Sequence, residues 1–512
     1  MPYKHISDAS PHQWMSRATH GRAALASIAW RWQSRFMDAE NSSQLSTDVV
    51  ILGGGAVGEN AADRVVKGGL KAVLVESELV GGECSYWACM PSKALLRPGI
   101  ALHGAQAVAG SREAAEGRLD VQAVLKRRDS FTSHWDDSGQ AKWVAGAGIE
   151  LVRGRGRLSG ERQVEVTDDD GNVTSVTARH AVVIATGSAP TVPPIEGLDT
   201  VTYWGTREAT SAQDIPPRLA VIGGGVAGTE LAQAFSRLGS KVTMIVRGSL
   251  LNTFPEQAGA LVSNALSEEG IDIRTGMEAA SVSQGDDGVV HLTLKDGSTL
   301  DAEQLLVTTG RHPATEDIGL DAAGIEPRGL SVDASGRVKS TGWLYAVGDA
   351  AGKVLLTHQG KYEARATGDA IVARADSELG DDVDSWSRYA HTADDYAVPQ
   401  VVFTDPEVAM VGLTLEQARQ RGMNASSTEM DIAVAGSALH ADGYKGWAQM
   451  VVDEDRKVVA GMTFAGQDVA ELLHAATIAV VGQVPLKRLW HAVPAYPTIS
   501  EIWLRLLEKY GL

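Results

Sequence analysis

Asp48-Val49-Val50-Ile51-Leu52-Gly53-Gly54-Gly55-Ala56-Val57-Gly58 is the stretch whose reading decides the fold. Its opening is a short apolar run, the pattern of a parallel strand buried on both faces. The glycines stand where such a strand turns sharply into a helix. Gly53 makes the tight turn, Gly55 leaves room for a pyrophosphate beside the backbone, and Gly58 lets the helix pack close to the strand. The helix N-terminus then faces the phosphates with the positive end of its dipole. A second strand, Ala72-Val73-Leu74-Val75-Glu76, ends in a carboxylate eighteen residues after Gly58. A carboxylate there accepts hydrogen bonds from ribose hydroxyls. The stretch reads as a βαβ dinucleotide unit.

The pattern recurs. Leu219-Ala220-Val221-Ile222 leads into Gly223, Gly225 and Gly228, followed by a helix from about Thr229 to Leu238 and the strand Lys241 to Val246. Here the strand end holds Val246 and then Arg247 in place of a carboxylate. An arginine at that position favours the 2′-phosphate of NADP over the free hydroxyl of NAD. Pro190 to Pro194 and Ile215-Pro216-Pro217 read as connections between the two units. From about Ala397 the character changes. Val401 to Phe403, Ala448 to Val452 and Val458 to Phe464 read as strands and Val469 to Val481 as a helix, with no glycine fingerprint, which indicates a separate α+β domain. The acidic stretch Asp376 to Asp384 reads as a solvated linker.

Bulk properties agree. A chain of 512 residues predicts three or four domains. A net charge of −18 disfavours nucleic acid as a partner. No run of 18 apolar residues suggests a membrane span. Residues 1–46 form an N-terminal extension; its first 37 are basic, with Leu25, Ile28, Ala29, Trp32 and Phe36 at helical spacing. They lack the apolar core of a secretory signal, and Met37 is an alternative start. The expected compartment is the cytoplasm.

The chain has two cysteines, Cys84 and Cys89. So few exclude a disulfide-stapled scaffold, and two thiols without neighbouring histidines make a poor zinc site. They leave either an inert apolar pair or a redox dithiol. Both lie in Gly81-Gly82-Glu83-Cys84-Ser85-Tyr86-Trp87-Ala88-Cys89-Met90-Pro91-Ser92-Lys93, directly after the first nucleotide unit. Pro91 to Leu96 reads as a helix start, a position that stabilises a thiolate at Cys89. The spacing is compatible with a disulfide across a first helical turn. Tyr86 and Trp87 either stack on a flat substrate or pack against the domain.

These motifs together resemble the flavin-dependent pyridine nucleotide–disulfide oxidoreductases, the group that contains glutathione, mycothione and mercuric reductases and dihydrolipoamide dehydrogenase. The resemblance runs from about Thr47 to the C-terminus. Its further landmarks are Ala185-Thr186-Gly187 and Thr309-Gly310-Arg311 at two strand-end turns, Tyr345-Ala346-Val347-Gly348-Asp349 as a second FAD motif, and Phe403-Thr404-Asp405-Pro406-Glu407 at the start of a dimerisation domain. It implies an α/β fold with two Rossmann-like domains, for FAD and NAD(P), plus a C-terminal α+β dimerisation domain. The expected boundaries are 47–210 and 326–395 for FAD, 211–325 for NADPH and 396–512 for a homodimer interface. It assigns Gly53, Gly55, Gly58, Glu76, Gly82, Thr186, Gly187, Gly310, Arg311 and Asp349 to cofactor binding. Cys89 becomes the thiol facing the flavin and Cys84 the thiol that attacks substrate. Lys93 stands near the flavin, paired with Glu230. Electrons then run from NADPH through FAD and the Cys84–Cys89 disulfide to a small-molecule disulfide.

One departure is informative. The family's disulfide reductases carry a histidine in a His-Pro-Thr-x-Ser-Glu motif, acting in the partner's site. Here Ala495-Tyr496-Pro497-Thr498-Ile499-Ser500-Glu501 has Tyr496 in its place, so Tyr496 and Glu501 are the expected partner-site residues. A phenol is a poor base at neutral pH but still a donor; His491 is a second candidate. The change leaves open a quinone or metal-ion reductase, and a redox sensor without sustained turnover. Mercury is disfavoured by the absence of a C-terminal cysteine pair.

Overall fold

The computed structural model describes residues 42–326, 330–339 and 341–512. The basic extension lies outside the described residues. Strand β1 (Ser42–Leu52) begins five residues before the expected Thr47. It runs parallel to β2 (Ala72–Glu76), and α1 (Ala56–Lys67) joins them. Val49, Val50, Ile51 and Leu52 are almost wholly buried, because β1 lies inside a seven-stranded sheet between β2 and Val173–Ile184. At roughly 1.5–3 kcal/mol per buried aliphatic side chain, this run anchors the first domain. The strand Leu344–Ala346 pairs in parallel with the end of Val173–Ile184. A segment 160 residues downstream thereby returns to the first sheet, bringing Gly348 and Asp349 with it.

The second unit has a four-stranded parallel sheet in the order Asp272–Thr275, Lys241–Val246, Arg218–Ile222, Gln304–Val307. A three-stranded antiparallel sheet covering 279–302 packs with it. The boundaries differ from the expected 211 and 325. Leu198 and Val201 are buried with Val282 and Leu305, in the core of the second unit. Leu320 is buried with Leu158 and Val164, in the first, and the Leu158 N–H donates to Ile318 O. The chain crosses between units at the paired strands Ser188–Pro190 and Arg311–Pro313. Buried contacts, invisible to local sequence pattern, set these crossings.

The C-terminal domain is a five-stranded antiparallel sheet backed by Leu473–Val481 and Ile502–Tyr510. One side of it, including Val402, Met410 and Trp447, packs into the core of the second unit beside Phe254 and Val262. Among the described residues no helix is long and apolar enough to cross a membrane.

Candidate active site

The two cysteines stand on different helices. Cys84 lies in α2 (Gly82–Tyr86) and Cys89 opens α3 (Cys89–Gln106). This corrects the expectation of one shared first turn. The Trp87 and Ala88 N–H groups both donate to Glu83 O and close α2. Pro91, tolerated in a first helical turn because it has no N–H to satisfy, lies at the start of α3. Both cysteines are thiols in this structure and are hydrogen-bonded to each other.

Their protonation is asymmetric. The Cys84 hydrogen bond lowers the Cys89 thiol to about 6, helped by Thr357 Oγ1 at 3.4 Å and the Lys93 charge, against the opposing effect of burial. The Cys84 thiol is pushed up by that same hydrogen bond and by burial. These shifts favour ionisation at Cys89, at a helix N-terminus, over Cys84.

Lys93, one turn into α3, donates from Nζ to Glu230 Oε2 at 2.6 Å. Glu230 lies on the helix Val226–Arg237, directly after the second glycine motif, and is 2% exposed. Its other oxygen accepts the Phe403 N–H at 2.9 Å, and Lys93 Nζ stands 4.9 Å from the Phe403 ring centre. One buried carboxylate thus ties together all three domains beside the dithiol.

The residues between the cysteines are clamped from outside. Arg207 bonds Glu78 at 2.9 Å and also Glu83, and its guanidinium stands 4.2 Å from the Trp87 ring centre. Thr210 Oγ1 donates to Trp87 O at 2.8 Å and Trp135 Nε1 to Tyr86 O at 3.2 Å. Tyr86 is buried, so of the two readings left open for it, packing holds.

The glycine turns fit dinucleotides. A Cβ on Gly58 would stand 1.8 Å from Gly53 O, so helix and turn meet without any side chain between them. Gly82 has φ +58°, and a Cβ there would lie 2.8 Å from Gly55 Cα. Open space lies over Gly225, next to Gly223 and Gly228 at the head of its helix. Glu76 accepts the Gly54 and Glu78 N–H groups, both at 2.7 Å, which leaves each oxygen a second lone pair for a ribose. Asp349 accepts from Ser188 Oγ at 2.6 Å and stands 3.5 Å from Arg311. Thr186 Oγ1 donates to Ala314 O at 2.7 Å, and Gly187 O accepts from the Ala314 N–H. Thr186, Gly187, Gly310, Arg311 and Asp349 therefore gather at the crossing between units. Arg247 is exposed at its strand end.

Tyr496 and Glu501 are not brought to the dithiol within one chain. Tyr496 is 77% exposed and Glu501 is buried in the C-terminal domain. Other residues of the site gave no sequence signal. Thr357 heads the helix Thr357–Ala375, with Lys361 one turn on, and its charge reaches both Cys84 and Glu59. Burial pushes Glu59, in the first turn of α1, up to about 7. None of the three lies in a motif; their neighbourhood is made by the packing of α1 on Thr357–Ala375.

Cofactor turns, a dithiol at a helix start and a C-terminal sheet domain define a class, and the chain belongs to it. Residues 47–367 match the pyridine nucleotide-disulphide oxidoreductase family and residues 398–506 its dimerisation domain. The chain is 33% identical to dihydrolipoyl dehydrogenase of Thermus scotoductus over 464 residues, covering 89% of this chain and 95% of that one. It is 32% identical to mercuric reductase of Streptomyces lividans, covering 89% and 94%. In fold it is similar to the HOCl-induced flavoprotein disulfide reductase RclA of Escherichia coli, solved as a Cu(II) complex (TM-score 0.76, 23% identity, 90% and 99% covered). The protein is a flavoprotein oxidoreductase of this family, with FAD and a pyridine nucleotide as its cofactors.

Proposed function

We propose that this protein is an NADPH-dependent reductase that uses the Cys84–Cys89 dithiol to reduce a small-molecule disulfide, as a homodimer in the cytoplasm. The observation that carries the reading is the asymmetric dithiol at the head of α3, with Lys93 and Glu230 paired beside it.

The turns at Gly53–Gly58 and Gly82, with Glu76, Thr186, Gly187, Arg311 and Asp349, would hold FAD. Gly223, Gly225, Gly228 and Arg247 would hold NADPH, Arg247 facing the 2′-phosphate. Bound FAD supplies two-electron transfer between the nicotinamide and the cysteine pair. The chain's own residues do the thiol chemistry. Cys84 attacks one sulfur of the substrate disulfide and passes its proton to the sulfur that leaves, forming a mixed disulfide and releasing the first thiol. Cys89 thiolate then attacks Cys84 Sγ, closing the Cys84–Cys89 disulfide and releasing the second half of the substrate as a thiolate, which takes up a proton from solvent. Lys93 keeps positive charge beside Cys89 while it waits as a thiolate, and Glu230 offsets the cost of placing that lysine there. Tyr496 of the partner subunit, with Glu501 behind it, donates to the leaving sulfur.

A second reading is a quinone or metal-ion reductase. Tyr496 in the histidine position and the likeness to mercuric reductases favour it.

Anaerobic titration with NADPH, then turnover on a panel of low-molecular-weight disulfides and quinones, separates the two. The disulfide reading expects a long-wavelength absorbance band on reduction, and Cys84→Ser to abolish disulfide turnover while the flavin still bleaches. Quinone turnover that survives Cys84→Ser, with no disulfide reduced, would overturn it. Faster bleaching by NADH than by NADPH would overturn the role of Arg247.

A further inference from the structure

Glu363, Asp394, His391 and Gln359 form a buried cluster that the thiol chemistry does not use. Each is less than a tenth exposed. Glu363 lies on the helix Thr357–Ala375 and reaches the second cofactor motif, where its Oε2 accepts the Gly348 N–H at 2.6 Å. Around Asp394, Gln359 Nε2 donates to Oδ1 at 2.5 Å, His391 Nδ1 stands 3.0 Å from Oδ2, and Lys353 Nζ is 4.0 Å from the same oxygen. Asp395 holds Lys353 from the other side at 3.0 Å.

Among the described residues Glu363 Oε1 has no hydrogen-bond partner, and the neighbouring Asp394 carboxyl acts on Glu363 both by its charge and by a side-chain hydrogen bond. Two carboxylates cannot bond each other without a proton between them. Of the two, Asp394 has the more polar neighbours, Gln359 and His391. A proton on Glu363, which has one backbone N–H donor, would account for the orphaned atom.

We propose that Glu363 and Asp394 share one proton, and that this proton holds the Gly348–Asp349 turn in the shape that receives the ribityl and phosphate region of FAD. Glu363 is thus a positioning residue. The inference rests on the reading of Asp349 as an FAD ligand. Burial, then the Asp394 charge, raises the Glu363 carboxyl to about 8. Because the folded value lies above the ordinary one, the contribution is present at low pH and lost as pH rises through about 8. Above it, two buried like charges push Glu363 away from Gly348. The groups facing Glu363 are Asp394 and, across it, His391 and Lys353; Gln359 lies on its own helix and the turn presents the Gly348 N–H.

The test is the FAD dissociation constant of the full chain across pH 6 to 10, read by flavin fluorescence on refilling apoprotein, with circular dichroism to confirm folding at each pH. The wild type should weaken about tenfold per pH unit above about 8. Glu363→Gln keeps a donor for Asp394 and an acceptor for Gly348, so its profile should be flat, whereas Glu363→Ala should bind FAD weakly throughout. A flat wild-type profile, or a Glu363→Gln profile that keeps the wild-type slope, overturns the shared proton. No FAD binding at any pH overturns the cofactor reading as well.

Discussion

At the scale of single residues, the dithiol is decided by what stands around two sulfurs. Cys89 takes the Cys84 hydrogen bond, a Thr357 contact and the Lys93 charge, while the Cys84 thiol is pushed up. The thiolate absorbance of the reduced protein should therefore titrate with a midpoint of about 6 and be lost in Cys89→Ser, since Cys89 is the thiol whose ionisation is favoured. Lys93→Met should move that midpoint upward; a wild-type midpoint near that of a free thiol would sink the assignment. Glu230 is the second decisive residue. Glu230→Ala strands a lysine that is 33% exposed and leaves the Phe403 N–H unpaired. The expected loss is about 3 kcal/mol, at the low end for a broken buried pair because water reaches Lys93. Chemical denaturation of wild type and variant measures it, and a loss below about 0.5 kcal/mol would show a surface-like pair.

At the scale of elements, close backbone approach governs the cofactor turns. The α2 start lies against the first glycine turn, Gly82 over Gly55. Gly82→Ala adds a Cβ at 2.8 Å from Gly55 Cα in a left-handed conformation. It should weaken FAD binding by about tenfold or more, equivalent to roughly 1.4 kcal/mol. The flavin content of the purified variant reads this directly; full occupancy would mean the turns tolerate separation. The same scale explains why α2 and α3 were not separable from the sequence. The sequence showed only a helix start at Pro91 to Leu96, whereas α2 is a short turn that closes on Glu83 O.

At the scale of the whole molecule, the C-terminal domain keeps several large side chains exposed among the described residues. Val493 and Tyr496 are 86% and 77% exposed, and Ile478 and Trp490 are also exposed on this domain. Large exposed apolar side chains grouped on a dimerisation domain fit a surface covered by a second copy. If Tyr496 serves the partner's dithiol, Tyr496→Ala should lower turnover about a hundredfold, the scale of a lost acid–base group. Coexpressing it with Cys84→Ser should then restore about a quarter of wild-type turnover, since half the dimers carry one intact site. No recovery in verified heterodimers would mean that each site is self-contained.

The two glycine fingerprints, the cysteine motif, the Lys93–Glu230 pairing and the separate C-terminal domain were legible in the sequence. Each is either a local pattern, where backbone geometry demands a residue type at a fixed spacing, or a match to a motif. Tertiary structure alone decided the rest. It placed the crossings at the paired strands Ser188–Pro190 and Arg311–Pro313, and brought Thr357 to Cys89. It also buried Tyr86 and set Glu363 against Asp394 beneath Gly348. These depend on desolvation and on contacts between residues far apart in the chain. No spacing along the sequence records which distant carboxylate or hydroxyl will face a given thiol, because that is set only when the helices pack.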